Sequence, residues 1–313
     1  MQSIRANRLT CVDEETGAGS QAGAAGQTGA ADPAGAGEDP TLRRRRGSSF
    51  GTAAEAYAEH RPGYAEAAVR WAVEPVADRT PLRVLDLAAG TGKLTAAIAA
   101  MGAEVTSVEP DRNMLAELRR RLPEVRSLDG RAEEIPLPDG SVDAVLVGQA
   151  MHWFDLDRAM PEIARVLTPG GVVAGLWNVD DDRVPWVAEL AGISKNRASP
   201  TLLSWRQGVG ESRLARLVTA GPGPGDAGHP GTGGDLTRLF RAPEQREFEH
   251  GQPRTADSLL ATIATHSHLL VMEETDRARL LARVGDFLHT RPETASGEFE
   301  LPMVTITLRA LRR

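Results

Sequence analysis

The chain has 313 residues, 41% of them apolar, enough to bury one substantial α/β core with a small appendage. Its formal net charge of −7 and a pI near 5.6 argue against a general nucleic-acid or anionic-membrane surface. Cys11 is the only cysteine, which excludes an internal disulfide and a cysteine-ligated metal site; the apolar stretches are far short of a membrane span, and Met1 to Thr10 lacks a secretory pattern, so a soluble cytoplasmic protein is expected.

Residues 1–49 read as a disordered tail. "GAGSQAGAAGQTGAADPAGAGEDP" is Ala/Gly-rich and has almost nothing to bury, so ordering it would cost entropy without return. The tail closes on Arg43 to Arg46, but its six arginines face six acids, the balance of a solvated linker rather than of a nucleic-acid patch. From Phe50 the texture changes. "TAAEAYAEH" reads as a short helix, Arg61-Pro62-Gly63 interrupts it, and "YAEAAVRWAVEPVA" reads as an amphipathic helix.

Strand and helix patterns then alternate. Leu82 to Leu87 is a predicted strand and Thr91 to Met101 a helix ended by Gly102. Glu104 to Val108 is a strand, and Arg112 to Leu122 a helix stopped before Pro123. Val142 to Val147 reads as a buried strand, Asp155 caps a helix running to Leu167, and Gly170-Gly171 turns into the strand "VVAGLW". This alternation predicts an α/β, doubly wound, mostly parallel sheet with helices on both faces. Residues 220–234, "AGPGPGDAGHPGTGG", read as a flexible insertion. After it come the strand "REFEHGQ", the helices "ADSLLATIATHS" and "EETDRARLLARVGDFLHT", and the strand "FELPMVTITLRAL". Those two strands can join the sheet edge, the last one antiparallel, with the helices as a cap on a single domain spanning 50–313.

The stretch "VLDLAAGTGKLTAAI" is a strand, a glycine turn and a helix start, the arrangement by which α/β proteins hold a nucleotide. A P-loop needs two glycines flanking four residues and then Lys and Ser/Thr; here Gly92-Lys93 is followed by Leu94, and Leu87 stands five residues before Gly92. A dinucleotide turn needs a third glycine for close helix packing, and Lys93, Leu94 and Thr95 supply none. Glu109, at the end of the second strand, suits a ribose diol in either nucleotide type. Asp86 discriminates. A carboxylate two residues ahead of the turn can accept hydrogen bonds from turn amides, but it would repel a pyrophosphate. A sulfonium cofactor with a zwitterionic tail meets no such objection, so Asp86, Gly90, Gly92 and Glu109 together point to S-adenosylmethionine.

With these residues in place, the sequence resembles the class I S-adenosylmethionine-dependent methyltransferases from about Phe50 onward, with the stretch near residue 225 as an insertion. "VLDLAAGTGKLT" is similar to the first motif of that family, "VEPDRNML" to the second-strand motif, and "RVLTPGGVVAGLWN" to the fifth-strand motif. The resemblance implies a Rossmann-like sheet of seven strands with S-adenosyl-L-methionine bound by Asp86, Ala88, Gly90, Gly92, Glu109 and Pro110. It puts Met114, Ala132 and Glu133 beside the adenine and Gln149 at the cofactor end of the fourth strand. Residues 50–80 become lid helices, with Tyr57 and Arg61 over the cofactor and Tyr64 following them. "AYAEHRPGY" and "GQAMHWFD" resemble the small-molecule branch that includes trans-aconitate methyltransferase-like proteins. Ala88 departs from the pattern, standing where the first turn glycine is usual, though alanine still allows an ordinary backbone.

Beyond the cofactor, His152 lies just past the fourth strand, where the transferable methyl projects in this family. It is either a general base toward the acceptor or, with Trp153, a wall of the acceptor pocket. Trp177 lines that pocket or belongs to the core. The expected activity is methyl transfer to a carboxylate or hydroxyl oxygen of a small molecule. The alternatives are a nicotinamide-dependent oxidoreductase and a catalytically silent cofactor-binding module; no metal, nucleic-acid or membrane partner is expected.

Overall fold

The computed structural model describes residues 62–194, 238–266, 269 and 272–313. The expected tail (1–49), the helix containing Tyr57, Arg61, and the insertion at 220–234 lie outside the described residues.

The described chain opens with α1 (Glu66–Val73), which buries Ala68, Val69, Ala72 and Val73 along one face. Pro75 cannot donate to a continuing helix, and the chain tightens into a single turn of 3₁₀ helix, Glu74–Val76. There follow β1 (Arg83–Leu87), α2 (Lys93–Ala100), β2 (Glu104–Glu109), α3 (Arg112–Arg121) and β3 (Arg126–Asp129). Next come β4 (Val142–Gly148), α4 (Leu156–Val166), β5 (Leu167–Asp180) and α5 (Pro185–Ser194). The remainder is β6 (Glu244–Arg254), α6 (Ala256–Ala264), α7 (Glu274–Thr290) and β7 (Phe299–Leu311).

The strands form one seven-stranded sheet in the order β3-β2-β1-β4-β5-β7-β6. β1 to β5 are mutually parallel where they pair. β7 runs antiparallel between β5 and β6. The mixed, mostly parallel sheet is the expected one, but the edge belongs to β6 and the last strand in the chain is interior. β3, "RSLD", carries no apolar alternation and is partly exposed, so its sequence gives no strand signal. Gly170-Gly171 do not end an element. They bulge out of β5, whose register with β4 passes from Val142↔Leu167 to Ala144↔Val172. Asp155 occupies the N-cap position of α4 without a side-chain cap bond.

Strand alternation divides the core. Leu85, Leu87, Val145 and Val147 face α4 with Met160 and Ile163. Val84, Ala144 and Leu146 face α1 and α2, against Val69, Leu94 and Ile98. A third cluster joins α5, α6 and α7 to the upper end of β7 through Trp186, Leu259, Val284, Leu301 and Met303, which is the helical cap. At the other end of the strands, near the start of the interior strand β4, Asp143 is 1% exposed. It takes Arg83 at 2.8 Å and Arg79 at 2.7 Å, and Arg79 also donates to Thr168. Burial works against the charge of Asp143, but the two guanidinium groups outweigh it and hold the carboxyl at about 2. Among the described residues no helix is long and apolar enough to cross a membrane.

Candidate functional site

The ends of β2, β1 and β4 lie side by side, and the residues singled out at the glycine turn meet there. The turn from Ala88 to Gly92 reverses direction through three left-handed residues: Ala88 at φ +58°, Gly90 at +57° and Gly92 at +87°. Ala88 therefore does not keep an ordinary backbone. It adopts the conformation for which glycine is the unstrained choice, at a cost of about 1–2 kcal/mol for a residue with a Cβ. A Cβ at Gly92 would stand 3.1 Å from both Leu118 and Leu122, so this glycine lets α3 close on the turn.

The two acidic residues divide their tasks differently from the sequence reading. The turn amides do not go to Asp86. Glu109 shapes the turn, accepting from the amide of Gly90 through Oε2 at 2.8 Å and from that of Asp111 through Oε1 at 2.8 Å. Asp86 Oδ2 instead accepts from the hydroxyl of Thr95 at 2.6 Å, in the first turn of α2. Asp86 Oδ1 and Thr91 Oγ1 are buried without a hydrogen-bond partner among the described atoms. Such groups are costly unless something else meets them.

Burial is the main cause of the shift at both carboxyls. It raises Asp86 to about 7 against the bonds from Thr95, with the nearby Glu109 adding to the rise. It raises Glu109 to about 7 against the amides of Asp111 and Gly90. A folded-state value above the unfolded one favours the fold at low pH, and the contribution is lost as pH rises through about 7. Asp143 and Glu117, each held near 2 in the fold, act the other way and lose their contribution only below about pH 4. His250, lowered from 6.5 by burial, opposes the two buried acids below about pH 6.5, one group against two. The ligand-free protein is therefore expected to be more stable at pH 5.5 than at pH 8. Urea midpoints that rise across that interval would show that the two carboxyls are not buried in the way described.

Around this pair, Met114 packs its sulfur 3.7 Å from where a Cβ on Gly90 would be, and Asp111 caps α3 by accepting from Asn113 and Met114. Pro110 is exposed between Glu109 and Asp111. Ala132 is buried in the α4-side core. The Glu133 side chain is engaged elsewhere: its Oε1 accepts from the amide of Asp155 at 3.0 Å and fixes the start of α4.

At the end of β4, Gln149 takes a left-handed φ of +55°. Its side-chain Nε2 donates 2.8 Å to the carbonyl of Asn178 on β5, so the side chain ties two strand ends together. His152 follows in a short 3₁₀ turn, exposed, with its ring 4.7 Å from that of Trp153. Trp177 is a correction to the pocket reading. It is 4% exposed and belongs to the α4-side core, and a Cβ at Gly175 would stand 2.8 Å from its Cζ3. Thr91, Thr95 and Asn178 were given no role by the motif reading, which placed Tyr64 only in the segment over the cofactor. For Thr95 the signal was its position one helical turn beyond Gly92.

The profile described as "Methyltransferase domain" matches residues 85–175, the span from β1 into β5. A protein named an uncharacterized methyltransferase, from Mycobacterium tuberculosis, is 39% identical over 269 residues, covering 86% of this chain and 97% of that protein. A demethylmenaquinone methyltransferase of Thermus thermophilus is 41% identical over 113 residues, 33% of this chain and 51% of that protein. The solved structure of a candidate type II methyltransferase from Anaeromyxobacter dehalogenans superposes with a TM-score of 0.54 at 26% identity, over 80% of this chain and 97% of that one. The fold and the glycine-turn site are those of a Rossmann-like methyltransferase. The chain belongs to the class I S-adenosylmethionine-dependent methyltransferase family.

Proposed function

We propose that this enzyme transfers the methyl group of S-adenosylmethionine to a carboxylate or hydroxyl oxygen of a small-molecule acceptor. The observation that carries the reading is the pair of buried carboxyls, Asp86 and Glu109, flanking a left-handed glycine turn, with Asp86 Oδ1 and Thr91 Oγ1 lacking a partner among the described residues. The residues fit the cofactor. Each oxygen of Glu109 accepts one amide and keeps a second lone pair for a ribose hydroxyl. Asp86 offers a buried acceptor to a cationic amino end. Met114, Ala132 and Pro110 flank the adenine in this reading, with Glu133 contributing through its backbone, and Tyr57 and Arg61 cover the site.

When bound, S-adenosylmethionine supplies a methyl group made electrophilic by its sulfonium. The work left to the chain is to hold the acceptor in line and to exclude water. His152, exposed, and Trp153, half-buried, lie just past β4 where they would meet an acceptor, and His152 Nε2 or Nδ1 would take the proton of a hydroxyl. The small-molecule branch rests on the "AYAEHRPGY" and "GQAMHWFD" motifs, and the acceptor is taken to be a metabolite.

Incubating the protein with methyl-labelled donor and a metabolite extract of its source cells tests this directly. Label should appear on one or a few small molecules. Label confined to macromolecules, or none despite cofactor binding, would sink the proposal. His152→Ala then separates the two acceptor chemistries. A hydroxyl acceptor should lose about a hundredfold in turnover, together with one ionisation in the pH–rate profile, while an acceptor already ionised should lose little.

A further inference from the structure

The segment leading into α1 is pinned to the sheet at the residues on either side of Tyr64. Asn178 Nδ2 donates 2.8 Å to the carbonyl of Gly63. The amide of Ala65 donates 3.3 Å to Thr305 Oγ1. Thr305 in turn donates 2.6 Å to Asn178 Oδ1, and the carbonyl of Asn178 receives the side chain of Gln149. One network thus joins the Gly63–Ala65 backbone to β5, β7 and the end of β4, so the placement of Tyr64 is dictated by strands more than a hundred residues away.

The pinned side chain reaches the last residue of β4. A Cβ added at Gly148 would collide with Oη of Tyr64, stand 2.9 Å from its Cζ and 3.2 Å from Leu94 in the first turn of α2. The tip of the phenol therefore fills the space that a side chain at Gly148 would take. Leu146 is the register partner of Asp86, and Gly148 lies two residues further along the same strand, so all three present the same sheet face. The phenolic oxygen is one pleat beyond the carboxyl of Asp86, beside the helix turn that holds Thr95.

We propose that Tyr64 is a cofactor-contacting residue whose phenolic oxygen forms the wall receiving the sulfonium end of S-adenosylmethionine, with Asn178 and Thr305 as the positioning residues that hold it there. This rests on the methyltransferase reading given above. Tyr64 serves as more than packing because an oxygen lone pair distinguishes the two forms of the cofactor. The sulfonium of the donor carries a fixed positive charge, and the thioether of S-adenosylhomocysteine carries none. A phenylalanine would keep the ring and lose the oxygen that makes that distinction.

The test is calorimetric titration of the full chain with S-adenosylmethionine and S-adenosylhomocysteine separately, alongside Tyr64→Phe and Asn178→Ala, with melting temperatures as the control on folding. Tyr64→Phe should weaken the donor by about tenfold, the loss of one close charge–dipole contact, and leave the product within about twofold. Asn178→Ala should shift the same ratio in the same direction, and the double variant should shift it no further than Tyr64→Phe alone. A merely structural role for either residue would lower both affinities together or neither. If Tyr64→Phe melts like the parent and keeps the parental ratio, the assignment of Tyr64 is wrong. If the parent binds neither molecule, the cofactor reading itself has failed. If Asn178→Ala does not fold, Tyr64→Phe alone decides.

Discussion

Glu109→Ala is expected to weaken S-adenosylmethionine and S-adenosylhomocysteine alike, by about tenfold to a hundredfold. Two losses combine. The acceptors for the ribose hydroxyls disappear, and hydrogen bonds to a charged group contribute about 1.5–3 kcal/mol. The amides of Gly90 and Asp111 also lose the oxygens that fix them at 2.8 Å each, so the turn that approaches the cofactor is no longer held. The fold itself should lose less than the site. Burial has pushed this carboxyl up to about 7, and removing it relieves a desolvation cost that partly offsets the two orphaned amides. Calorimetry should therefore show a large drop in affinity beside a modest drop in melting temperature. Unchanged binding of both molecules would overturn the role given to Glu109.

The largest effect on stability is expected at the other end of the strands, where β1 and β4 begin. Asp143→Ala takes from Arg79 and Arg83 the carboxylate that each had within 2.8 Å, leaving Arg79 only Thr168 and the carbonyl of Pro169. It also removes the acceptor for the amide of Arg83 at 3.1 Å, the bond that seats the first residue of β1 against β4. Breaking a buried pair from one side costs about 3–5 kcal/mol when both ions are enclosed. The arginines here are partly open to water, 30% and 39% exposed, so about 2–3 kcal/mol is expected. For a chain of this size that is a fall of about 5–10 °C in melting temperature. Urea unfolding measures it, and a change below about 1 kcal/mol would mean the cluster is no more than a surface ion pair.

The central strands and the turn between them were legible because their signals are local. Apolar runs broken by glycine mark β1 and α2, and an acid at each strand end marks the site. What stayed hidden depends on partners distant in the chain. Nothing around Gly148 says that a phenol 84 positions earlier will occupy its missing side chain, and nothing around Asn178 points to Gly63. The passing of the turn amides from Asp86 to Glu109 is of the same kind. Both are strand-end acids, and only the twist of the turn decides which one its amides reach. Ala88 misled in the opposite direction. Its type suggests ordinary backbone, yet the turn enforces φ +58° on whatever residue stands there. Trp177 was equally suited to a pocket or a core by type, and the glycine two residues before it provides the room that keeps it inside.

The interior position of β7 also bears on how the protein is made. Among the described residues β6 pairs with no strand but β7, and the outer side of β5 is covered only by β7. While a nascent chain has reached β6 but not β7, both strands present unpaired backbone, and the apolar faces of α5, α6 and α7 wait for Leu301 and Met303. The parallel half of the sheet can assemble on the ribosome, but the remainder is an open edge until the final strand threads into the gap, and that interval is when the chain is most exposed to aggregation and most dependent on chaperones.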